Sequence, residues 1–295
     1  MKILFHDFSN IFTTEPRYLH TALEQCQIDS QIWNNPQTSV YDALDMAKPD
    51  ILISHYQALD NDIVKYLSQN KVELALNVTG ATKNVLSQID DLSNNVNIKL
   101  IYDNTYHKSI SRSKKIKSDQ IMPAADIFSP VQPVEQKFKL GILTSIESKQ
   151  YEDEVNKEPV HHRLHLGVSE DKESQYDLDV DMHRLPSIIR MYDNIRIVDT
   201  VKNVCSQLFF EACLHGQNVN IIVPESEQES FTGSFAKVFS SDPEDVEDLA
   251  TEIKDQIVKN HTPFHRASRL LKLLGDTEGN KKVENVKNQL QFQSV

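Results

Sequence analysis

Short apolar runs of strand length alternate with helix-like segments through the chain, and this alternation limits the fold more than any other property of the sequence. Lys2 to Phe8, Gln31 to Trp33, Asp50 to Ser54, Val72 to Val78, Ile98 to Tyr102 and Asp126 to Phe128 read as strands. Glu15 to Gln27, Val40 to Met46 and Asp60 to Gln69 read as helices, the first with Thr14 as cap and Pro16 in its first turn. Strands separated by helices require crossover connections, which give a parallel sheet covered on both faces. The first half is therefore expected to be a Rossmann-like domain.

Ser129 to Gln136 carries two prolines and no periodicity, which marks a linker, and a new apolar strand, Phe138 to Leu143, follows it. The alternation then resumes through His161 to Leu166, Ile195 to Val198, Val219 to Val223 and Val238 to Phe239. Helices are expected at Pro243 to Val258, opened by Ser241 and Asp242, and at Pro263 to Leu274. The polar tail from Gly279 is either a helix that packs back or frayed chain. At 295 residues there is room for two domains, with boundaries expected at 1–130 and 131–278 and a tail at 279–295.

Composition narrows the function. Seven glycines, and no Gly-x-Gly-x-x-Gly or phosphate-loop lysine motif, weigh against a nicotinamide dehydrogenase or a P-loop enzyme. A formal charge of -12 opposes general affinity for polyanions. One local exception is the run His107, Lys108, Arg112, Lys114, Lys115 and Lys117. Three cysteines (Cys26, Cys205, Cys213) fit reduced thiols better than a disulfide framework. The first residues lack the apolar core of a signal peptide, and no run approaches the roughly 18 apolar residues of a membrane span, so the expected location is the cytoplasm.

The stretch from Thr200 to Pro224 carries the most chemistry. A polar loop leads into a helix with an apolar face (Leu208, Phe209, Ala212, Cys213), which stops at His215 and Gly216 before the strand of Val219, Ile221, Ile222 and Val223. Glu211 lies inside that helix, where a carboxyl group costs free energy unless it is paired, faces a ligand or points to solvent. The Glu211-Ala-Cys-Leu-His-Gly216 run resembles the Glu-Ala-x-x-x-Gly helix start in the nucleotide-sugar half of two-lobed (GT-B) glycosyltransferases. Arg190 to Val198 is similar to a tyrosine-containing helix and following strand that precede this motif in one group of these enzymes. His261 to Leu271 resembles the His-Thr-x-x-x-Arg-Ala-x-x-Leu-Leu helix that closes it. The resemblance covers about residues 180 to 275. It implies an α/β fold of two Rossmann-like lobes with parallel sheets facing a cleft: an N-terminal acceptor lobe and a C-terminal nucleotide-sugar lobe, in which Glu211 binds the donor ribose. Many retaining members carry a second glutamate eight positions upstream; Asn203 stands there and cannot carry charge, so the stereochemical outcome stays open.

Ligands bind outside the carboxyl ends of parallel strands, which selects the remaining candidates. In the first half these are His6, Asp7, Ser9, Asn10, His55, Tyr56, Asn77, Thr79, Asp103, Asn104 and Tyr106, each with a plainer reading as a helix or turn cap. Asp7 or His6 is the expected general base, with Asn10, His55, Asn77, Lys108, Arg112 and Lys114 toward the acceptor. In the second half Thr144, Ser145 and Ser148 offer hydroxyls, and Arg163 and Arg184 are the phosphate clamps. Asn203, Ser206 and Gln207 sit at the start of the Glu211 helix, where free N–H groups favour an anion. His161, Arg163 and His165 alternate onto one face and His162 onto the other, which disfavours a three-histidine metal site. Glu225 to Glu229 reads as a solvated loop.

The expected activity is transfer of a sugar from a nucleotide-diphosphate sugar, which acts as co-substrate with no other cofactor and no metal. The acceptor is a polysaccharide, a small molecule or modified viral DNA, the last through the basic run at 107–117. The rival expectations are a catalytically silent homologue acting as a binding or structural protein, and a sugar-nucleotide epimerase.

Overall fold

In the computed structural model the chain forms two compact units, Met1–Pro123 with Pro263–Val295, and Ala124–Thr262. The structure describes residues 1–6, 15–33, 38–78, 81–102, 116–121, 124–128, 137–144, 149–158, 160–166, 178–180, 184–198, 207–216, 218–222 and 246–290.

Among the described residues six strands build the first unit: β1 (Ile3–His6), β2 (Ser30–Trp33), β3 (Ile51–His55), β4 (Glu73–Asn77), β5 (Ile98–Tyr102) and β6 (Lys117–Gln120). They are all parallel, in the order β2-β1-β3-β4-β5-β6. All five residues of β3 are buried, as expected of a strand covered on both faces. Helices α1 (Glu15–Gln25), α2 (Val40–Ala47), α3 (Asn61–Asn70) and α4 (Lys83–Leu92) supply the crossovers. Their starts are set locally. The side chain of Ser39 accepts the Asp42 N–H, that of Asp60 accepts the Ile63 N–H at 2.7 Å, and that of Thr82 accepts the Val85 N–H. Leu4, Leu44, Leu52, Leu67, Leu74 and Leu76 form the core on the face covered by α2, α3 and α4.

Five parallel strands build the second unit: β7 (Phe138–Thr144), β8 (His162–Leu166), β9 (Leu178–Val180), β10 (Tyr192–Val198) and β11 (Asn218–Ile222), in the order β11-β10-β7-β8-β9. Helices α5 (Lys149–Lys157), α6 (Leu185–Arg190), α7 (Gln207–His215) and α8 (Val246–Asn260) accompany them. Ile142, Leu143, Leu164 and Ile197 are wholly buried. The sheet closes on Gly141, where an added Cβ would meet Leu164, Ile195 and Tyr192 at 3.0 to 3.1 Å. No helix among the described residues is long and apolar enough to cross a membrane.

The division differs from the expected one at both ends. It falls after Pro123, so Asp126 belongs to the second unit. Asp126 to Phe128 is not a strand: the side chain of Asp126 accepts the Phe128 N–H at 2.8 Å and curls the chain locally. The Ser129 to Gln136 linker lies outside the described residues. Helix α9 (Pro263–Leu274), expected in the second half, packs on α1 and β6 of the first unit. Its apolar face (Phe264, Ala267, Leu270, Leu271) is buried there, and Arg269 pairs with Asp119 of β6 at 3.3 Å. Gly275, at φ 83°, ends α9 in the left-handed conformation that glycine adopts without strain. The tail is helix α10 (Thr277–Leu290), packed on α9 with Lys282 donating to the Gln27 carbonyl at 3.2 Å.

Two further differences concern the motifs. Tyr192, expected on a helix, opens strand β10, where its ring lies 5.7 Å from that of Phe138, tilted against it, and its hydroxyl hydrogen-bonds His162 at 3.0 Å. Lys117, expected at the end of a basic loop, is the first residue of β6.

Candidate functional site

In each unit the strand order reverses direction at one place, and in parallel sheets of this kind ligands bind at the carboxyl ends beside that reversal. In the first unit that place is between β1 and β3. His6 ends β1, and its Nδ1 lies 3.0 Å from the Ser54 hydroxyl of β3 in a shared hydrogen bond. Trp33 ends β2 level with His6, their rings 4.3 Å apart. His55 ends β3 level with Asn77 at the end of β4. The His55 ring accepts the Gln57 N–H at 3.3 Å and lies 4.5 Å from the Tyr56 ring. His6, His55 and Asn77 are thus brought to one edge. Asp7, Asn10, Lys108, Arg112 and Lys114 lie outside the described residues.

Trp33 and Ser54 were missed as site residues, although both stood at the carboxyl ends of readable strands. That position was the available signal. Ser54 and Trp33, the one tryptophan of the chain, were read only as the last residues of their strands.

In the second unit the reversal lies between β7 and β10. Thr144 ends β7, fully buried and level with His165 of β8. Helix α7 follows β10, with Gln207 as its first residue. Ser145, Asn203 and Ser206 lie outside the described residues. Arg163 is level with Ile142, two residues short of the edge and half-buried. Arg184 is exposed ahead of α6 and makes no side-chain capping bond.

Glu211 stands on α7 as expected, yet its side chain has no exposed surface. One carboxyl oxygen accepts the Asp126 N–H at 2.7 Å. One turn later, His215 Nε2 donates to the Asp126 carbonyl at 3.1 Å and lies 3.5 Å from the second Glu211 oxygen. Two side chains at i and i+4 thereby grip both polar groups of one residue, doing for Asp126 what a neighbouring strand does in a sheet. Burial pushes the His215 pKa down to about 4, aided by the charges of Arg190 and Lys254 and opposed by the bond to Asp126, so the ring is neutral. Next to this pair, Phe210 stacks on His261 at 4.9 Å, and the His261 carbonyl accepts the Ala125 N–H at 3.3 Å. These contacts hold the Glu211 carboxyl group against the backbone of Asp126, within the second unit. Asp126 is 85 residues away in sequence, so no local pattern could have disclosed the pairing.

Gly216 carries a geometric demand rather than a conformational one. A Cβ there would lie 2.5 Å from a Val219 methyl and 2.6 Å from the Ala212 carbonyl oxygen. Among the described residues no group of three or more His, Cys, Asp or Glu side chains is placed to hold a metal ion.

No protein-family model matches the sequence, and a comparison with curated proteins finds no match. Solved structures do match in fold. HepE of Anabaena in complex with UDP and glucose aligns over 93% of this chain and 99% of its own, at 13% identity and a TM-score of 0.62. HepE in complex with UDP-glucose aligns over 93% and 99%, at 14% identity and a TM-score of 0.57. The chain has the two-unit, parallel-sheet fold of the GT-B type.

Proposed function

We propose that the protein is a glycosyltransferase that moves a sugar from a nucleotide-diphosphate sugar to an acceptor hydroxyl. The observation that carries this reading is the likeness of fold along nearly the whole chain to HepE, whose crystals hold UDP and UDP-glucose. The polar residues at both strand-order reversals support it, because that is where such a fold binds ligands.

In this reading the first unit serves the acceptor. His6 or Asp7 takes the proton as the acceptor oxygen bonds to the anomeric carbon, while the bond from that carbon to the diphosphate oxygen breaks and the nucleotide leaves with the electron pair. His6 is favoured by its place at the reversal, where Ser54 and Trp33 fix the plane of its ring. His55 and Asn77 contribute further hydrogen-bonding groups beside it. The second unit serves the donor. Backbone N–H groups at Gln207, the first residue of α7, meet the diphosphate in this reading, and Asn203 and Ser206 just before it in sequence, Ser145 after β7 and the cations of Arg163 and Arg184 add to them. Glu211 acts indirectly, by seating α7 on Asp126.

Equilibrium binding tests the donor half. A thermal-shift panel of UDP, GDP, ADP, CMP and their sugar conjugates should single out one nucleotide base. A ligand at 100 times its Kd stabilises the fold by about 2.7 kcal/mol. A panel in which no nucleotide moves the transition would overturn the reading.

A further inference from the structure

We propose that the carboxyl edge of the first unit's sheet receives a neutral saccharide chain as the acceptor, with Trp33 as the platform for one sugar ring; this rests on the transferase reading above. The side chains that end β1 to β4 are His6, Trp33, His55 and Asn77, flanked by Ser54 and Tyr56. None of these carries a permanent charge. A phosphorylated or nucleic-acid acceptor calls for arginine or lysine at the point of contact, whereas a saccharide offers an apolar C–H face and several hydroxyls. The edge matches the second description. Trp33 and His6 form one ring pair and His55 and Tyr56 another, 4.3 and 4.5 Å between centroids. Of these, His6, Tyr56 and Asn77 are half-buried and bring imidazole, hydroxyl and amide groups to the edge, the kinds of group that bond sugar hydroxyls without ionising.

Trp33 is the least ordinary member. A tryptophan with only part of its surface on the core is suited to a ligand with one apolar and one polar side. Trp33 to Asn77 spans the neighbouring strands β2, β1, β3 and β4, a distance of about 14 Å at ordinary strand spacing. That exceeds one hexose ring, so an oligosaccharide is expected to bind more tightly than a monosaccharide.

The chain contains one tryptophan, so its fluorescence reports on this edge alone. The full chain is titrated with maltotriose, cellotriose, chitotriose and glucose, and with inorganic polyphosphate and duplex DNA, with and without saturating UDP. Saturable change with a trisaccharide is expected, with a weaker response to glucose and none to the polyanions. Calorimetry on Trp33→Phe should give an affinity about tenfold lower for the same trisaccharide, as expected for reduced ring contact. Absence of a saturable response to all three trisaccharides, or a response to polyanions alone, overturns the proposal. Saccharide binding without nucleotide binding would instead overturn the transferase reading and leave the saccharide edge standing, so the two failures are distinct.

Discussion

The buried pair on α7 makes the stability of the second unit depend on pH in a window set by one histidine. Burial holds the His215 pKa at about 4 against its ordinary 6.5. Its Nε2–H is used on the Asp126 carbonyl, and its Nδ1 is sheltered without a hydrogen-bond partner among the described residues, so a second proton there would be a buried charge. Arg190 from α6 and Lys254 from α8 oppose that proton, while Asp126 favours it and Glu211 lies beside the ring. The folded pKa is depressed, so the unfolded chain binds the proton first. The contribution is present in full above pH 6.5 and is lost as pH falls toward 4. Linkage gives a loss of about 2 kcal/mol by pH 5 and about 3 kcal/mol below pH 4. Urea unfolding at closely spaced pH values from 7.5 to 4, followed by circular dichroism, measures it. His215→Gln keeps a donor for Asp126 but has no proton to gain, so its stability should fall less over the same window, by about 2 kcal/mol at pH 5. Identical pH dependence in wild type and His215→Gln would refute the reasoning.

Three other perturbations have defined outcomes. Burial pushes the Glu284 carboxyl up, but hydrogen bonds from Lys287, Ser268 and Lys272 outweigh it and hold the pKa at about 2; its contribution is present above about pH 4.5 and lost as pH falls toward 2, and after discounting for solvent screening Glu284→Gln should cost about 1 kcal/mol at pH 7 by urea unfolding. Gly216→Ala drives a methyl onto the Ala212 carbonyl and Val219, and should destabilise by about 1 to 3 kcal/mol in the same assay. Glu211→Gln retains an acceptor for the Asp126 N–H, so it should fold and bind nucleotide within about twofold of wild type, whereas Glu211→Leu leaves that N–H buried without its acceptor and should cost about 1 to 3 kcal/mol; a Glu211→Gln protein that is stable yet blind to nucleotide would instead assign Glu211 the ribose role.

The parallel-sheet architecture was legible because β1, β3 and β7 carry short runs of Ile and Leu between recognisable helices, and β4, β8 and β11 space Leu, Ile or Val closely enough to read as strands in the same alternation. Helix α9 was found with its bounds, since Pro263 and Gly275 mark its ends. Its place in the first unit was not legible, because an apolar face records that a helix is covered and not by what. Strand β6 was hidden by composition: Lys117, Ser118, Asp119 and Gln120 have no apolar residue among them, and it is pairing to β5 that makes the segment a strand. The same limit governs the site. His6, His55 and Asn77 could be placed by their positions at strand ends. The Glu211 contact with Asp126 could not, because it joins residues from distant parts of the sequence.

Turnover tests the central claim most directly. The protein is incubated with the sugar conjugate of the nucleotide that stabilises it and a trisaccharide acceptor, and release of nucleoside diphosphate is followed together with the mass of the saccharide. The account predicts a saccharide heavier by one sugar residue, formed in step with the diphosphate, and a rate lower by about 100-fold or more in a folded His6→Ala, Asp7→Asn double variant. A nucleotide that binds but is never cleaved, with acceptor present, would contradict it and mark the protein as a binding homologue of the fold.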